Sequence, residues 1–125
     1  MGISIANTTE EAIPNVNYKA IKEAALGLAY ELNVVISTPE DIKKLNLIYR
    51  NKNEATDILS FPLSSDIGEM YMCPEEARKE AKKFDREYEN FFAFLFIHGC
   101  AHLKGYDHSD TMEVFEAKLR KKFRI

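Results

Sequence analysis

The 125-residue chain has few cysteines, no long apolar run and no excess of basic charge. Its two cysteines, Cys73 and Cys100, predict thiols in a reducing cytosol rather than a disulfide framework. No segment approaches the roughly 18 apolar residues of a membrane helix, so we expect no membrane association. The first residues, MGISIANTTE, lack the basic and apolar regions of a signal peptide, and we therefore expect a cytoplasmic protein.

With a formal net charge of −3, the chain lacks the overall basic charge that is typical of many nucleic-acid-binding proteins. It does not exclude such a partner, because an acidic protein can bind nucleic acid through a local patch or a bound cation. The sequence has no internal repeat, low-complexity tract or linker. We therefore expect one domain over residues 1–125. This length is sufficient for a hydrophobic core that needs no disulfide or metal to stabilise it.

Hydrophobic periodicity predicts an α+β fold in which about five helices pack on a mixed four-stranded sheet. The predicted order is β-α-β-α-β-β-α-α-α. The strands are expected at 3–7, 34–37, 57–63 and 67–73, and the helices at 16–32, 38–50, 74–84, 87–104 and from 110 onward.

The second predicted helix has a clear start, since Thr38 can cap it and Pro39 suits its first turn. Its apolar spacing directs Ile42, Leu45 and either Ile48 or Tyr49 towards the core. In the first helix the expected apolar stripe is Ile21, Ala24, Ala25, Leu28 and Leu32.

Two further details concern a strand and the last helix. Pro62 cannot donate a ladder hydrogen bond, so the strand at 57–63 is expected at an edge of the sheet. The last helix is expected to begin at Asp110, which forms a capping pair with Glu113, and its apolar side is Met112, Phe115 and Leu119.

Every histidine of the chain lies in the segment HGCAHLKGYDH, residues 98–108. His98 and His102 are four residues apart and share one face of the predicted buried helix. Gly105 suits the end of that helix, after which the chain can bring His108 back to the same point. Unrelated core or surface histidines are the alternative, but three in this spacing favour one metal site at the end of the helix.

Zinc is the ion that three neutral imidazoles suit best, and they leave one coordination position open. Such a site is typical of catalysis, because zinc lowers the pKa of bound water to about 7. Nickel, copper and iron remain alternatives. Cys100 is two residues from both helical histidines and is expected on the other side of the helix, whereas a role for Cys73 stays open.

The histidine spacing is that of the metzincin peptidases, with one difference. Those enzymes carry a glutamate directly after the first histidine as general base, and here that position is Gly99. A peptidase of that type would lack its proton acceptor. The glycine therefore favours a different hydrolysis.

Two segments resemble a known family. FIHGCAHLKGYDH is similar to the HG-x-x-H-L-x-G-Y-D-H signature of the YbeY-type endoribonucleases, the bacterial rRNA maturation factors. LNLIYRNKNEATDILSFP, residues 45–62, resembles their block ending in TDVLSFP, and PEEA follows the hairpin as in that family. The resemblance covers roughly residues 30 to 120. The chain departs from the pattern at Ile58, Glu69, Ala101 and Lys104.

This resemblance implies a metal-dependent endoribonuclease that prefers single strands and acts in 16S rRNA 3′-end maturation and ribosome quality control. It implies His98, His102 and His108 as zinc ligands and Arg50 as a functional residue. Its implied partners are single-stranded RNA, the small ribosomal subunit and an assembly GTPase. A fixed guanidinium at Arg50 can hold a phosphate bidentately, although its position alone would favour a solvated arginine at a helix end.

The sequence leaves the mechanism open. Metal-bound hydroxide could attack phosphorus, or metal-bound water could act as base on the RNA 2′-hydroxyl. Asp57, Glu69 and Asp107 are candidate acids, and Asp57 and Asp107 could equally orient a histidine or cap a turn.

Basic residues cluster at 118–124 and at 78–86, and either cluster could contact RNA or form a solvated helix face. Two competing functions remain. One is a metallopeptidase-like hydrolase with a non-standard base, and the other is a non-catalytic ribosome-assembly factor with a structural zinc.

Overall fold

The computed structural model describes residues 2–107 and 109–125. Four strands and five helices occur in the predicted order. They are β1 (Ile3–Asn7), α1 (Tyr18–Leu26), β2 (Glu31–Ile36), α2 (Pro39–Arg50), β3 (Ile58–Pro62), β4 (Ile67–Met72), α3 (Pro74–Lys83), α4 (Tyr88–Lys104) and α5 (Asp110–Phe123).

The strands form one mixed sheet with the order β1-β2-β4-β3. β1 and β4 both pair with β2 in parallel, and β3 pairs with β4 in antiparallel orientation. β3 is an edge strand, which confirms the expectation from Pro62 at its end. The predicted α+β class with a mixed four-stranded sheet is therefore confirmed.

The main core lies between the sheet and helices α1, α3, α4 and α5. α4 is its central element, and ten of its 17 residues are buried. A smaller apolar cluster forms where Ile42 of α2 meets Leu59 of β3 and Cys73. α4 therefore runs through the main core, and His98 and His102 in its last turns line an open cleft.

α4 approaches the β3–β4 hairpin closely at Gly99. A Cβ atom at this position would lie 2.6 Å from Met70 Cε, 2.8 Å from Ile58 Cδ1 and 3.0 Å from Ser60 Oγ. Real Cβ atoms essentially never approach other heavy atoms within 3.0 Å. The glycine therefore has a packing function, because it lets the helix lie directly on the hairpin.

The first predicted helix, 16–32, is wrong at its C-terminal end. α1 ends at Leu26, where Gly27 adopts φ 92° and Lys22 Nζ donates to the Leu28 carbonyl across the turn. Leu28 is therefore 76% exposed, and Leu32 is buried in β2 instead of on a helical stripe.

The strand predicted at 34–37 accordingly begins three residues earlier, at Glu31, and ends at Ile36. Ala24 of the predicted stripe is exposed, whereas Ile21 and Ala25 are buried as expected.

The predicted start of α2 is confirmed, since Thr38 Oγ1 accepts from the Asp41 backbone N–H at 3.3 Å. The prediction that Ile48 or Tyr49 faces the core is wrong, because they are 71% and 64% exposed. Asn46 occupies the inward face instead. Its side-chain amide donates to the Glu54 carbonyl at 2.9 Å and so ties the following loop to the helix.

α5 begins at Asp110, but its cap is Ser109, whose Oγ accepts from the Met112 N–H at 3.3 Å. The predicted capping pair of Asp110 and Glu113 is therefore wrong, because the N-cap residue is Ser109, one residue before Asp110. Met112 and Leu119 are buried and Phe115 packs against the core, as expected.

Within residues 2–107 and 109–125, no helix has both the length and the apolar character needed to cross a membrane.

Replacing Gly99 by Ala should destabilise the protein by about 1–2 kcal/mol. The added methyl group overpacks the hairpin contact, and this cost exceeds the gain of about 1 kcal/mol in helix propensity. Urea unfolding measures the change. In a Met70→Leu background, which removes the nearest methyl carbon, the cost should be smaller. A more stable Gly99→Ala protein would contradict the close contact.

Candidate functional site

The C-terminal end of α4 brings two histidines together. The Nε2 atoms of His98 and His102 are 3.2 Å apart, and the ring centroids are 4.6 Å apart. Both residues are partly buried, at the boundary between the core and an open cleft. The i, i+4 spacing on a helix explains the convergence, as the sequence predicted.

The donor set of the two rings fits a zinc ion. Two nitrogen ligands at the usual Zn–N distance in tetrahedral geometry lie about 3.3 Å apart, close to the observed separation. The same distance fits a hydrogen bond between the rings in the metal-free protein. The fit therefore supports a metal site without identifying the ion.

The third predicted ligand, His108, lies outside the described residues. Across residues 2–107 and 109–125, no group of three or more histidine, cysteine, aspartate or glutamate side chains forms a metal cluster. The three-histidine zinc site thus stays a prediction, of which the structure brings two members together.

A residue that the sequence did not single out completes this side of the site. Glu116 of α5 is only 4% exposed, and its Oε2 lies 3.0 Å from His98 Nδ1. The signal was present in the sequence, because Glu116 lies four residues after Met112 and three before Leu119. A charged residue on the apolar stripe of a helix indicates a buried partner.

An open cleft of about 850 Å³ connects the histidines with the other predicted residues. Its wall includes Arg50 at the end of α2, Asp57 before β3, and Asp107 after α4. Arg50 is exposed. Residues that are far apart in the sequence therefore share one cleft, although the role of Arg50 stays a prediction.

The three candidate acids occupy different environments. Asp57 is half-buried, and its pKa is raised by burial first and by the charge of Glu80 second. Asp107 is exposed at the cleft. Glu69 lies on the sheet face opposite Met70, the residue that meets α4, and its Oε1 accepts from the Tyr71 hydroxyl at 3.4 Å. Asp57 and Asp107 line the cleft and Glu69 does not, which favours the first two as candidate acids.

Both cysteines are buried in apolar surroundings. Cys100 is completely buried, and this burial raises the pKa of its thiol. Cys73 packs with Ile42 and Leu59 in the smaller cluster, and burial raises its pKa as well. Cys100 belongs to the main core and Cys73 to the smaller cluster, so packing explains both residues.

The basic residues of α3 are mostly paired within the protein. Arg78 binds Glu11, Lys79 binds Glu76, and Lys83 binds Glu80. This pairing favours a solvated helix face over an RNA contact. In the other basic cluster, Lys121 and Lys122 in the last turn of α5 are exposed.

Comparison with known proteins identifies the family. The family model described as Endoribonuclease YbeY matches residues 3–123. The chain belongs to the YbeY family. A YbeY relative, the Endoribonuclease YbeY of Sulfurimonas denitrificans, is 33% identical over 89% of this chain and 86% of that protein. The one of Thermosipho melanesiensis is 32% identical over 93% and 95%.

A solved structure agrees with the fold of this YbeY family member. The solution structure of a Thermotoga maritima protein superposes with a TM-score of 0.68 at 29% identity. The match covers 98% of this chain and 91% of that one. The resemblance that the two sequence motifs indicated is therefore confirmed for the family and the fold.

Replacing Asp57 by Asn should improve stability more at neutral pH than at about pH 4. The raised pKa means that the folded state holds this proton more tightly than the unfolded chain, whose value is near 3.8. Ionisation of Asp57 therefore costs stability as pH rises through this window, and Asn removes that cost. Urea unfolding of metal-free protein at both pH values measures the difference.

The matched control is Asp85→Asn, because Asp85 is exposed. Its backbone has a φ of 53°, which asparagine also tolerates. The gain in stability between the two pH values should be larger for Asp57→Asn than for this control. An Asp57→Asn gain that is equal at both pH values would contradict the raised pKa.

Proposed function

We propose that this protein is a zinc-dependent, single-strand-specific endoribonuclease that uses one zinc ion. The observation that carries the proposal is the shared cleft, which joins the facing imidazoles of His98 and His102 to the guanidinium of Arg50. Membership of the Endoribonuclease YbeY family supports the same reaction class.

In this proposal His98, His102 and His108 hold the metal ion. A zinc ion bound there supplies a Lewis acid and activates water for phosphodiester hydrolysis. Arg50 binds a non-bridging phosphate oxygen pair and offsets the negative charge that develops on them. Asp57 and Asp107 are the candidate groups for moving a proton at the cleft, and Asp57 suits an acid because burial favours its protonated form.

Aromatic rings beside Arg50 support a single-stranded substrate. Tyr49 is 64% exposed, and its ring centroid is 4.9 Å from that of Phe61, which lines the cleft. Unpaired bases stack on exposed aromatic side chains, whereas bases inside a duplex do not reach them.

The cellular role that we propose follows the family resemblance. The protein would act in the cytoplasm on the 3′ end of 16S rRNA and in ribosome quality control. Its partners would be the small ribosomal subunit and an assembly GTPase. These partners would supply specificity for one RNA site, since the cleft itself offers mainly phosphate and base-stacking contacts.

The peptidase alternative has little support, because position 99 has no side chain and faces the hairpin rather than the cleft. A ribosome-assembly factor with a structural zinc predicts a different outcome in the test below. In that case histidine variants would lose RNA processing only in proportion to their loss of stability.

Arg50→Ala should lower kcat/KM for a single-stranded RNA oligonucleotide by about a hundredfold or more, the usual cost of losing one charge-stabilising donor. It should retain the metal content of the wild type. His102→Ala should lose both metal and cleavage. Metal analysis and a fluorescence cleavage assay measure these quantities, with casein as the peptidase substrate.

Lys44→Ala is the matched control, because Lys44 is an exposed cation on the same helix that does not line the cleft. It should cleave RNA like the wild type. Equal cleavage by wild type, Arg50→Ala and His102→Ala would indicate a contaminating nuclease and would refute the proposal. Cleavage of casein with no cleavage of RNA would favour the peptidase.

Charge reversal at Lys121 and Lys122 should weaken RNA binding and flatten its salt dependence, because each phosphate contact on a single strand adds about 0.7 to the slope. Binding of single-stranded RNA at several salt concentrations measures both effects. The matched control is Lys79→Glu/Lys83→Glu on α3, where both cations are already paired. An unchanged slope would remove Lys121 and Lys122 from the binding surface.

A further inference from the structure

Glu116 differs from the other acidic residues of the protein in its environment. It is the only buried carboxylate among residues 2–107 and 109–125, and it lies beside the histidine pair of α4. A buried carboxylate is costly unless it is paired and hydrogen-bonded. The usual role of a glutamate, which is to keep the protein surface hydrated, therefore does not explain the position of Glu116.

The geometry around His98 gives its two ring nitrogens different tasks. Nδ1 lies 3.0 Å from Glu116 Oε2, whereas Nε2, on the opposite side of the ring, lies 3.2 Å from His102 Nε2. An ionised carboxylate accepts hydrogen bonds and donates none. A hydrogen bond from His98 to a carboxylate at this contact therefore requires the proton on Nδ1.

We propose that Glu116 is a positioning residue that holds His98 in the Nδ1–H tautomer, with the Nε2 lone pair directed towards His102. Neutral histidine in water favours the other tautomer, with the proton on Nε2. Glu116 thus prepares His98 as an Nε2 metal ligand before any ion arrives. The link to metal affinity, although not the tautomer itself, rests on the proposed function.

Arg120, one turn further along α5, holds Glu116 in place. Its Nη1 lies 3.7 Å from Glu116 Oε1, and its Nη2 donates to Glu113 at 2.7 Å. The guanidinium also lies over the ring of Phe94, at 5.4 Å from the centroid. Glu116 therefore uses one oxygen for the cation and the other for the imidazole, so that its charge is balanced and its orientation is fixed.

A purely structural ion pair between Glu116 and Arg120 is the competing explanation. It predicts lower stability in Glu116 variants and no specific change in His98. The test therefore measures a property of the His98 ring that stability alone does not alter. It uses full-length metal-free protein and the variants Glu116→Ala and Glu116→Gln, of which the second keeps the size of the side chain if the first folds poorly.

Nitrogen-15 NMR of the imidazole rings reports the tautomer directly. In metal-free wild type, His98 should show a protonated Nδ1 and an unprotonated Nε2. In Glu116→Ala the population should move towards the Nε2–H form. The matched control is Glu113→Gln on the same helix, which removes the other carboxylate of Arg120 but leaves His98 untouched. It should retain the wild-type tautomer.

Zinc affinity, measured by competition with a chromophoric chelator, gives the second readout. Loss of a residue that orients a metal-bound histidine usually weakens binding about 10–100-fold. We expect a loss in this range for Glu116→Ala and a smaller loss for Glu116→Gln, whose amide oxygen can still accept. Glu113→Gln should bind zinc like the wild type.

The outcomes separate the two proposals. If wild type shows the Nε2–H tautomer, or if Glu116→Ala leaves both the tautomer and the zinc affinity unchanged, the role of Glu116 is refuted. If wild type binds no zinc but shows the Glu116-dependent tautomer, the positioning role stands and the zinc-dependent function falls.

Discussion

The contact between α4 and the β3–β4 hairpin at Gly99 fixes the position of the two histidines. His98 precedes this glycine directly and His102 follows within one turn, so the close approach of the helix to Met70 and Ile58 sets where both rings emerge. A helix that is buried over most of its length cannot rotate or slide without opening the core. The packing of the core therefore fixes the backbone position from which the side chains of His98 and His102 extend into the cleft.

A second set of contacts connects the histidines to the last helix. Glu116 reaches His98 across the α4–α5 interface, and Arg120 reaches Glu116 from one turn further along. Phe94 lies one turn before His98 and under two cations, with Arg86 at 4.5 Å and Arg120 at 5.4 Å from its ring centroid. Arg120 and Glu116, whose side chains are 16% and 6% exposed, thus connect α5 to the imidazole of His98 in a region of low exposure.

Much of the site was predictable because its determinants are local. The i, i+4 spacing of His98 and His102 on a helix puts their rings on one face whatever the helix packs against. Thr38 and Pro62 likewise act through their own backbone chemistry, and both predictions are confirmed. The prediction of a helix from apolar periodicity was wrong after Leu26, where the chain changes direction. At Gly27 the backbone turns, so Leu28 is exposed and Leu32 enters a strand.

By itself the sequence determined the order of elements, the paired histidines and, through two motifs, membership of the YbeY family. The tertiary structure alone decided which distant residues meet. It brought Arg50 and Asp57 into the cleft of the histidines, turned Glu69 to the opposite sheet face, and joined Glu116 to His98. The reason is physical: spacing along a helix or strand is set by backbone geometry, whereas a contact between α4 and α5 depends on how whole elements pack. The same packing explains Gly99. In the sequence this residue shows only that the glutamate of a metzincin peptidase is absent, whereas in the structure it is the point where α4 meets the sheet.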